Sequence, residues 1–341
     1  MTRVRLKDIA KDLNVSVVTV SKVLRNHSDI SEATKERVLK RMRELNYQPN
    51  WLARGLVSRR SYMIGLVVPD LKHSFFAQVA EGVAREVRAK GYQAVICSSE
   101  ESPELEENEI EMLLSRQADA VVVASTRRST GAGVFQRLEN QSFPLVLIDR
   151  QLRGTRANFV GTDDEQIGFL ATDHLLQQGC RRIAHIRGLE ISTGVGRLKG
   201  YKKALAGAGI QPAAEMIVGG TSWDVSGDTS GYAAMKKLLD LPTRPDGVFC
   251  FNDPAAAGAL QAILEAGLRV PEDIAVVGAG NIRYSEHLRV PLTTVDQSSD
   301  LVGQRAGMLI LDLLASKDPR PTQTILINPR LVVRQSSLRK K

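Results

Sequence analysis

The stretch NVSVVTVSKVLRNH, residues 14–27, reads as a short basic helix with one greasy side. Val20, Val23 and Leu24 fall at i, i+3 and i+4, the stripe that such a helix buries. Ser16 precedes them as an N-cap, its side-chain oxygen placed to accept an orphan amide of the first turn. Val17, Val18, Ser21 and Lys22 are left facing outward, so two branched apolar residues lie on a polar face. Upstream, Ile9, Ala10 and Leu13 share a face of LKDIAKDL, and Asn14 and Val15 make the turn. Downstream, Ser31 caps a third helix with Val38, Met42 and Leu45 at i, i+4 and i+7. Two short helices with a tight turn and a bracing third helix predict a helix-turn-helix unit.

In such a unit the start of the second helix meets base edges in the major groove. Valine methyls there can pack on a thymine methyl, and Lys22 can donate to guanine. The hydroxyls of Ser16, Thr19 and Ser21 suit phosphates, contacts that set register rather than sequence. The bland alternative is that Val17 or Val18 packs on another surface of the same protein.

Charge supports the first reading. Residues 1–60 hold 14 Lys and Arg against 6 Asp and Glu, and the remaining residues hold 32 of each sign. All of the net +8 therefore sits in the first sixth of the 341-residue chain. A basic module on a neutral body predicts a polyanion as partner for the module and something else for the body. No apolar run is long enough for a membrane span, so no membrane partner is expected. The first 25 residues alternate charged and apolar side chains, unlike a secretory leader, which predicts a cytoplasmic protein. Cys97, Cys180 and Cys250 lack CxxC spacing, and the five histidines form no HxxxH pattern. Neither a disulfide framework, a metal site nor a bound cofactor is expected.

From Tyr62 the pattern becomes alternating strands and helices. MIGLVVP, YQAVICSS, ADAVVVAS, FPLVLIDR, RRIAHIRG, DGVFCFND and EDIAVVGAG read as strands. Amphipathic runs separate them, such as FFAQVAEGVAREVRAKG and SPELEENEIEMLLSRQ, the latter with Ser102 as cap and Pro103 at its first position. This predicts an α/β body of parallel sheets covered by helices on both faces. Ligands of such sheets bind outside the carboxyl ends of the strands. Ser125, Asp149, Asn252 and Asp253 stand at such ends. An enzyme reading fails at the motif level. GAGNIR has Arg283 where a dinucleotide fingerprint needs its third glycine, and no GxSxG or P-loop occurs. Asp163 and Asp164 in GTDDEQIG read as a solvated strand-to-helix turn.

LKDIAKDLNVSVVTVSKVLRN followed by SEATKERVLKRMRELNYQPN resembles the N-terminal module of the LacI/GalR family of bacterial transcription regulators. The motifs that carry the likeness are VSxxTVSxVL and TxxxVxxxMxELNYxPN. The resemblance implies that Val17 and Val18 carry base recognition, with Leu6, Tyr47 and Asn50 among the other contacts to DNA. Lys22 stands where the family usually has arginine and lacks its bidentate fork. NWLARGLVSRRS would be a hinge that folds on the correct operator, with Ala53 at a helix contact, Arg54 facing the minor groove and Leu56 as a wedge. A plain flexible tether is the alternative.

The resemblance extends to about Val333 and implies a body like a periplasmic sugar-binding protein. It divides the chain into a DNA-binding domain at 1–49, a hinge at 50–61, a first lobe at 62–161 plus 292–321, and a second at 162–291 plus 322–341. The chain crosses between lobes three times. A small effector, a sugar or sugar derivative, would bind between them. Its implied contacts are Phe75, Phe76, Ser125, Asp149, Arg197, Trp223, Asn252, Asp253 and Gln297. The implied assembly is a homodimer on a palindromic double-stranded operator. One departure stands out. The family usually follows its VVG strand with a carboxylate, and here Ala279, Gly280 and Asn281 follow, so the ligand is expected to be bulkier, more anionic or otherwise not a simple hexose, with a body that binds no small effector as the alternative.

Overall fold

The structure is a computed structural model. It describes residues 4–24, 28–47, 60–127, 133–220, 227–316, 318 and 320–339. The chain divides into two units, Met1–Ser61 and Tyr62–Lys341.

In the first unit, α1 (Leu6–Asp12), α2 (Val17–Leu24) and α3 (Glu32–Glu44) enclose a small core. Ile9, Ala10, Val20, Val23, Val38 and Met42 are buried there, and Leu24 and Leu45 pack half-buried against them. The turn between α1 and α2 places Asn14 in the left-handed region, at φ 53°, a conformation that asparagine tolerates better than most residues. Ser16 accepts from the Thr19 amide at 3.0 Å and Ser31 from the Thr34 amide, so both sequence-predicted caps form. Arg41 of α3 reaches Asp12 at the end of α1 at 2.6 Å, tying first helix to third.

The second unit holds two six-stranded sheets. The first is built from β1 (Met63–Val68), β2 (Gln93–Ser98), β3 (Ala120–Val123), β4 (Leu145–Ile148), β5 (Asn158–Thr162) and β11 (Thr324–Ile327). Its order is β11-β5-β4-β3-β1-β2, parallel throughout. The second contains β6 (Ile183–Arg187), β7 (Ile217–Gly219), β8 (Gly247–Cys250), β9 (Ala275–Ala279), β10 (Thr293–Asp296) and β12 (Arg330–Val332). Its order is β12-β10-β9-β8-β6-β7, and only the edge strand β12 runs antiparallel to its neighbour. The central strands are apolar on both faces, as sheets covered on both sides require.

The helices of this unit are α4 (Ser74–Ala89), α5 (Pro103–Ser115), α6 (Val134–Asn140), α7 (Asp164–Gln177), α8 (Ser192–Gly207), α9 (Asp228–Leu239), α10 (Asp253–Glu265) and α11 (Ser299–Ala315). Three helix pairs approach closely through glycines: α4 with α11, α7 with α8, and α9 with α10. A Cβ on Gly82 would lie 2.6 Å from the Asp300 carbonyl oxygen, one on Gly200 1.9 Å from that of Glu165, and one on Gly258 1.9 Å from that of Asp228.

Strand pairing moves two of the expected lobe boundaries. β10 pairs with β9, so residues 293–296 belong to the second lobe rather than the first. β11 pairs with β5, so residues 324–327 belong to the first lobe rather than the second. The crossings between lobes thus fall after β5, after β10 and between β11 and β12.

Candidate nucleic-acid interface and interlobe cleft

On α2, the side chains of Val20 and Val23 are buried while Val17 is 45% and Val18 61% exposed. The two valines therefore stand free at the amino end of the helix, as the periodicity predicts. The hydroxyls of Ser16 and Thr19 bond to each other at 2.9 Å, and both remain near the surface to meet an acceptor. Lys22 is held by Asp29. An exposed pair of this kind is worth about 0–1 kcal/mol, whereas a good base contact is worth about 1–3 kcal/mol. Lys22 can therefore exchange its partner for a base at little cost. Leu6 and Tyr47 are half-buried against the small core, which makes them supports of the unit as much as contacts. Asn50, Ala53, Arg54 and Leu56 lie outside the described residues.

In the second unit a cavity of about 400 Å³ opens between the two sheets, at the carboxyl ends of their strands. The first lobe contributes Asp70, His73, Phe75, Phe76, Glu101, Asp149 and Arg150. The second contributes Arg187, Arg197, Phe251 and Asn252 among others, and Gln297 follows the crossover from β10.

Arg197 of α8 crosses the floor. Its Nε donates to Asp164 at 2.9 Å, Nη1 to the Phe251 carbonyl at 2.6 Å and Nη2 to Gln297 Oε1 at 2.9 Å. The guanidinium also lies 4.6 Å above the Phe251 ring, a favourable cation–π distance. All three nitrogens have protein partners, and Nη1 and Nη2 each keep one N–H for a ligand. Asp164 is thus no solvated turn residue. Burial pushes its carboxyl up to about 7 against the pull of Arg197, while Asp163 takes the cap of α7 by accepting from the Gln166 amide.

Asp149 directly follows β4 with φ 60°, an uncommon conformation for a residue with a side chain, of the kind that gathers at ligand sites. Burial raises its pKa, opposed by Arg150 and Arg197. Arg150 is clamped by Glu101 through two bonds of 2.7 and 2.6 Å and faces the Phe76 ring. Phe75 and Phe76 meet edge to face at 5.1 Å and form the apolar wall. His73 caps α4, accepting from the Phe75 amide at 3.4 Å, and burial lowers its pKa to about 4, so it is neutral.

Six expected effector residues line this cavity: Phe75, Phe76, Asp149, Arg197, Asn252 and Gln297. Two do not. Ser125 is fully buried beneath it and donates to Glu106 at 2.9 Å, because α5 brings that carboxylate against the end of β3. Asp253 is equally buried. It accepts from Ser285 at 2.8 Å, from the Ile282 amide at 3.0 Å and from Thr294, so it pins the second sheet rather than a ligand. Trp223 lies outside the described residues. Asp70, His73, Glu101, Arg150 and Arg187 were not anticipated. Asp70, Arg150 and Arg187 end or closely follow β1, β4 and β6, so the strand-end rule that selected Asp149 applies to them too.

Two family descriptions match the chain: bacterial regulatory proteins of the lacI family over residues 5–50, and a periplasmic binding protein-like domain over residues 172–337. The HTH-type transcriptional repressor PurR of Mannheimia succiniciproducens is 33% identical over 333 residues, 97% of this chain and 98% of that protein. The PurR of Proteus mirabilis is 35% identical over 337 residues, 97% of this chain and 96% of its own length. Among solved structures, the Lac repressor dimer bound to operator and the anti-inducer ONPF matches with a TM-score of 0.85 at 27% identity, covering 99% of this chain and all of that one. The complex of the transcriptional regulator CelR with cellobiose matches with a TM-score of 0.72 at 30% identity, covering 98% of this chain and all of that one.

Proposed function

The chain belongs to the LacI family of bacterial regulatory proteins, and we propose that it represses transcription in the cytoplasm as a homodimer on a palindromic operator, under control of a small effector bound between its lobes. The observation that carries this reading is the exposure of Val17 and Val18 on a helix whose opposite face is buried. The repressor names of the PurR relatives and the dimer–operator complex of the similar Lac repressor support it. A two-fold protein matches a two-fold site, one half-site for each helix-turn-helix. β2 is an edge strand of the first sheet and leaves Ile96 exposed, a surface suited to a second copy. The cavity and the cellobiose complex of CelR support a sugar or sugar derivative as effector. The effector acts by binding one lobe angle better than another, which shifts the population of the state that holds DNA.

Selection of duplexes from a random pool by the full-length protein tests the reading, followed by anisotropy titrations. A palindromic consensus is expected, with affinity that falls steeply with salt as phosphates are neutralised. Val18→Ala removes two methyls, at about 0.8 kcal/mol for each buried group. With two half-sites it should weaken the selected operator by about tenfold to a hundredfold and leave random duplex unaffected. Recovery of no consensus, or equal loss on both duplexes, would defeat the assignment.

A further inference from the structure

Resting on the cleft as an effector site, we infer that its occupant is a polyol bearing one anionic group, with the anion held at Arg187. The cavity is electrically lopsided. Its first-lobe wall supplies the carboxylates of Asp70, Glu101 and Asp149, with Arg150 spent on Glu101. Its second-lobe wall supplies Arg187, Arg197 and Lys237, and the carboxylates that touch them, Asp164 on Arg197 and Glu190 on Arg187, are not among the residues that line the cavity.

Hydrogen-bonding capacity follows the same division. Asp70 is only 7% exposed, and its Oδ2 is buried without a partner while Oδ1 accepts from the Lys72 amide. That oxygen calls for a donor, which a ligand hydroxyl supplies. On the opposite wall the groups are donors. Arg187 has a buried Nε with no partner, and only its Nη2 touches the exposed Glu190, at 3.2 Å. Asn252 commits its carbonyl oxygen to the Ala255 amide, which leaves its NH2 group to donate. A neutral sugar presents hydroxyls that need acceptors as well as donors, and this wall offers few acceptors. A carboxylate or phosphate offers acceptors only.

Local backbone adds to the site. α8 begins beside Arg187 without a side-chain cap, and Thr193 of its first turn lines the cavity. Its free amides and dipole favour negative charge. Gly220, at φ 81°, keeps the space open, because a Cβ there would lie 2.9 Å from Arg187 Nε. The volume falls within the range of small-ligand sites.

Calorimetric titration of the full-length protein with D-gluconate, D-glucuronate and D-glucose 6-phosphate, against D-glucose and D-glucitol, tests the inference. At least one acid is expected to bind about tenfold more tightly than the neutral compounds. The carboxylate and phosphate arms distinguish the two sources of charge. Arg187→Gln should remove that advantage without changing the thermal midpoint of the free protein, and Arg187→Lys should keep part of it. Equal binding of acid and neutral compound, binding unaffected by Arg187→Gln, or no binding of any acid would overturn it. Operator affinity measured on the same samples separates the two readings. A neutral compound that alters it defeats only the anion, whereas absence of any operator preference defeats the regulator.

Discussion

His185 in β6 is buried between aromatic rings, 4.6 Å from Phe249 and 5.2 Å from Tyr201. Its Nδ1 donates to the Phe249 carbonyl at 3.0 Å while Nε2 has no partner, so the neutral tautomer is held. Burial lowers its pKa to about 3. The unfolded chain takes up a proton near 6.5. Stability from this group is therefore complete above 6.5 and is lost as pH falls toward 3, by up to about 1.4 kcal/mol per pH unit. His73 and His174 are lowered by burial and act in the same sense, whereas the raised Asp164 acts in the opposite one. Urea denaturation between pH 4.5 and 7.5 should show His185→Phe losing about one proton from the slope of the acid limb. An unchanged slope would show that His185 is protonated in the fold. Much of the cleft was legible at this scale, because the strand-end rule pointed to Asp149 and the family resemblance to Arg197. Ser125 and Asp253 obeyed the same rule and turned away, since partners distant in sequence, Glu106 and Thr294, decide which way a strand-end side chain points.

At the scale of elements, the glycine contacts set how near the helices come. Gly200→Ala would press on the Glu165 carbonyl and the Phe169 amide of α7, backbone groups that cannot rotate aside. A loss of about 1–3 kcal/mol is expected from such overpacking. Gly207 ends the same helix, and a Cβ there meets nothing within 4 Å. Gly207→Ala should be neutral or stabilising by up to about 1 kcal/mol. Chemical denaturation of the two variants checks the contrast, and equal effects would refute close packing as the cause. Strands β1–β4, β6, β8 and β9 were readable as apolar runs, whereas the short β5, β7, β10, β11 and β12 did not stand out from the sequence. The sheet to which each late strand belongs was not readable either. TTVD of β10 and TILI of β11 are both short and β-branched, and only their pairing with β9 and β5 separates them.

Across the whole molecule, charge and connectivity divide the work. The surplus positive charge lies in residues 1–60, and the neutral body carries the cavity. The tail of the body has a mechanical consequence. β11 finishes one sheet and β12, a few residues later, finishes the other. The segment from β11 to β12 is thus a rivet through both halves. A stop codon after Ser316 would strip an edge from each half at once, so neither is expected to survive as a protease-resistant core. Loss of only one half in limited proteolysis would show that the rivet is decorative. A mutation in this short tail, remote in sequence from α2, can thereby disable the protein as completely as one in that helix.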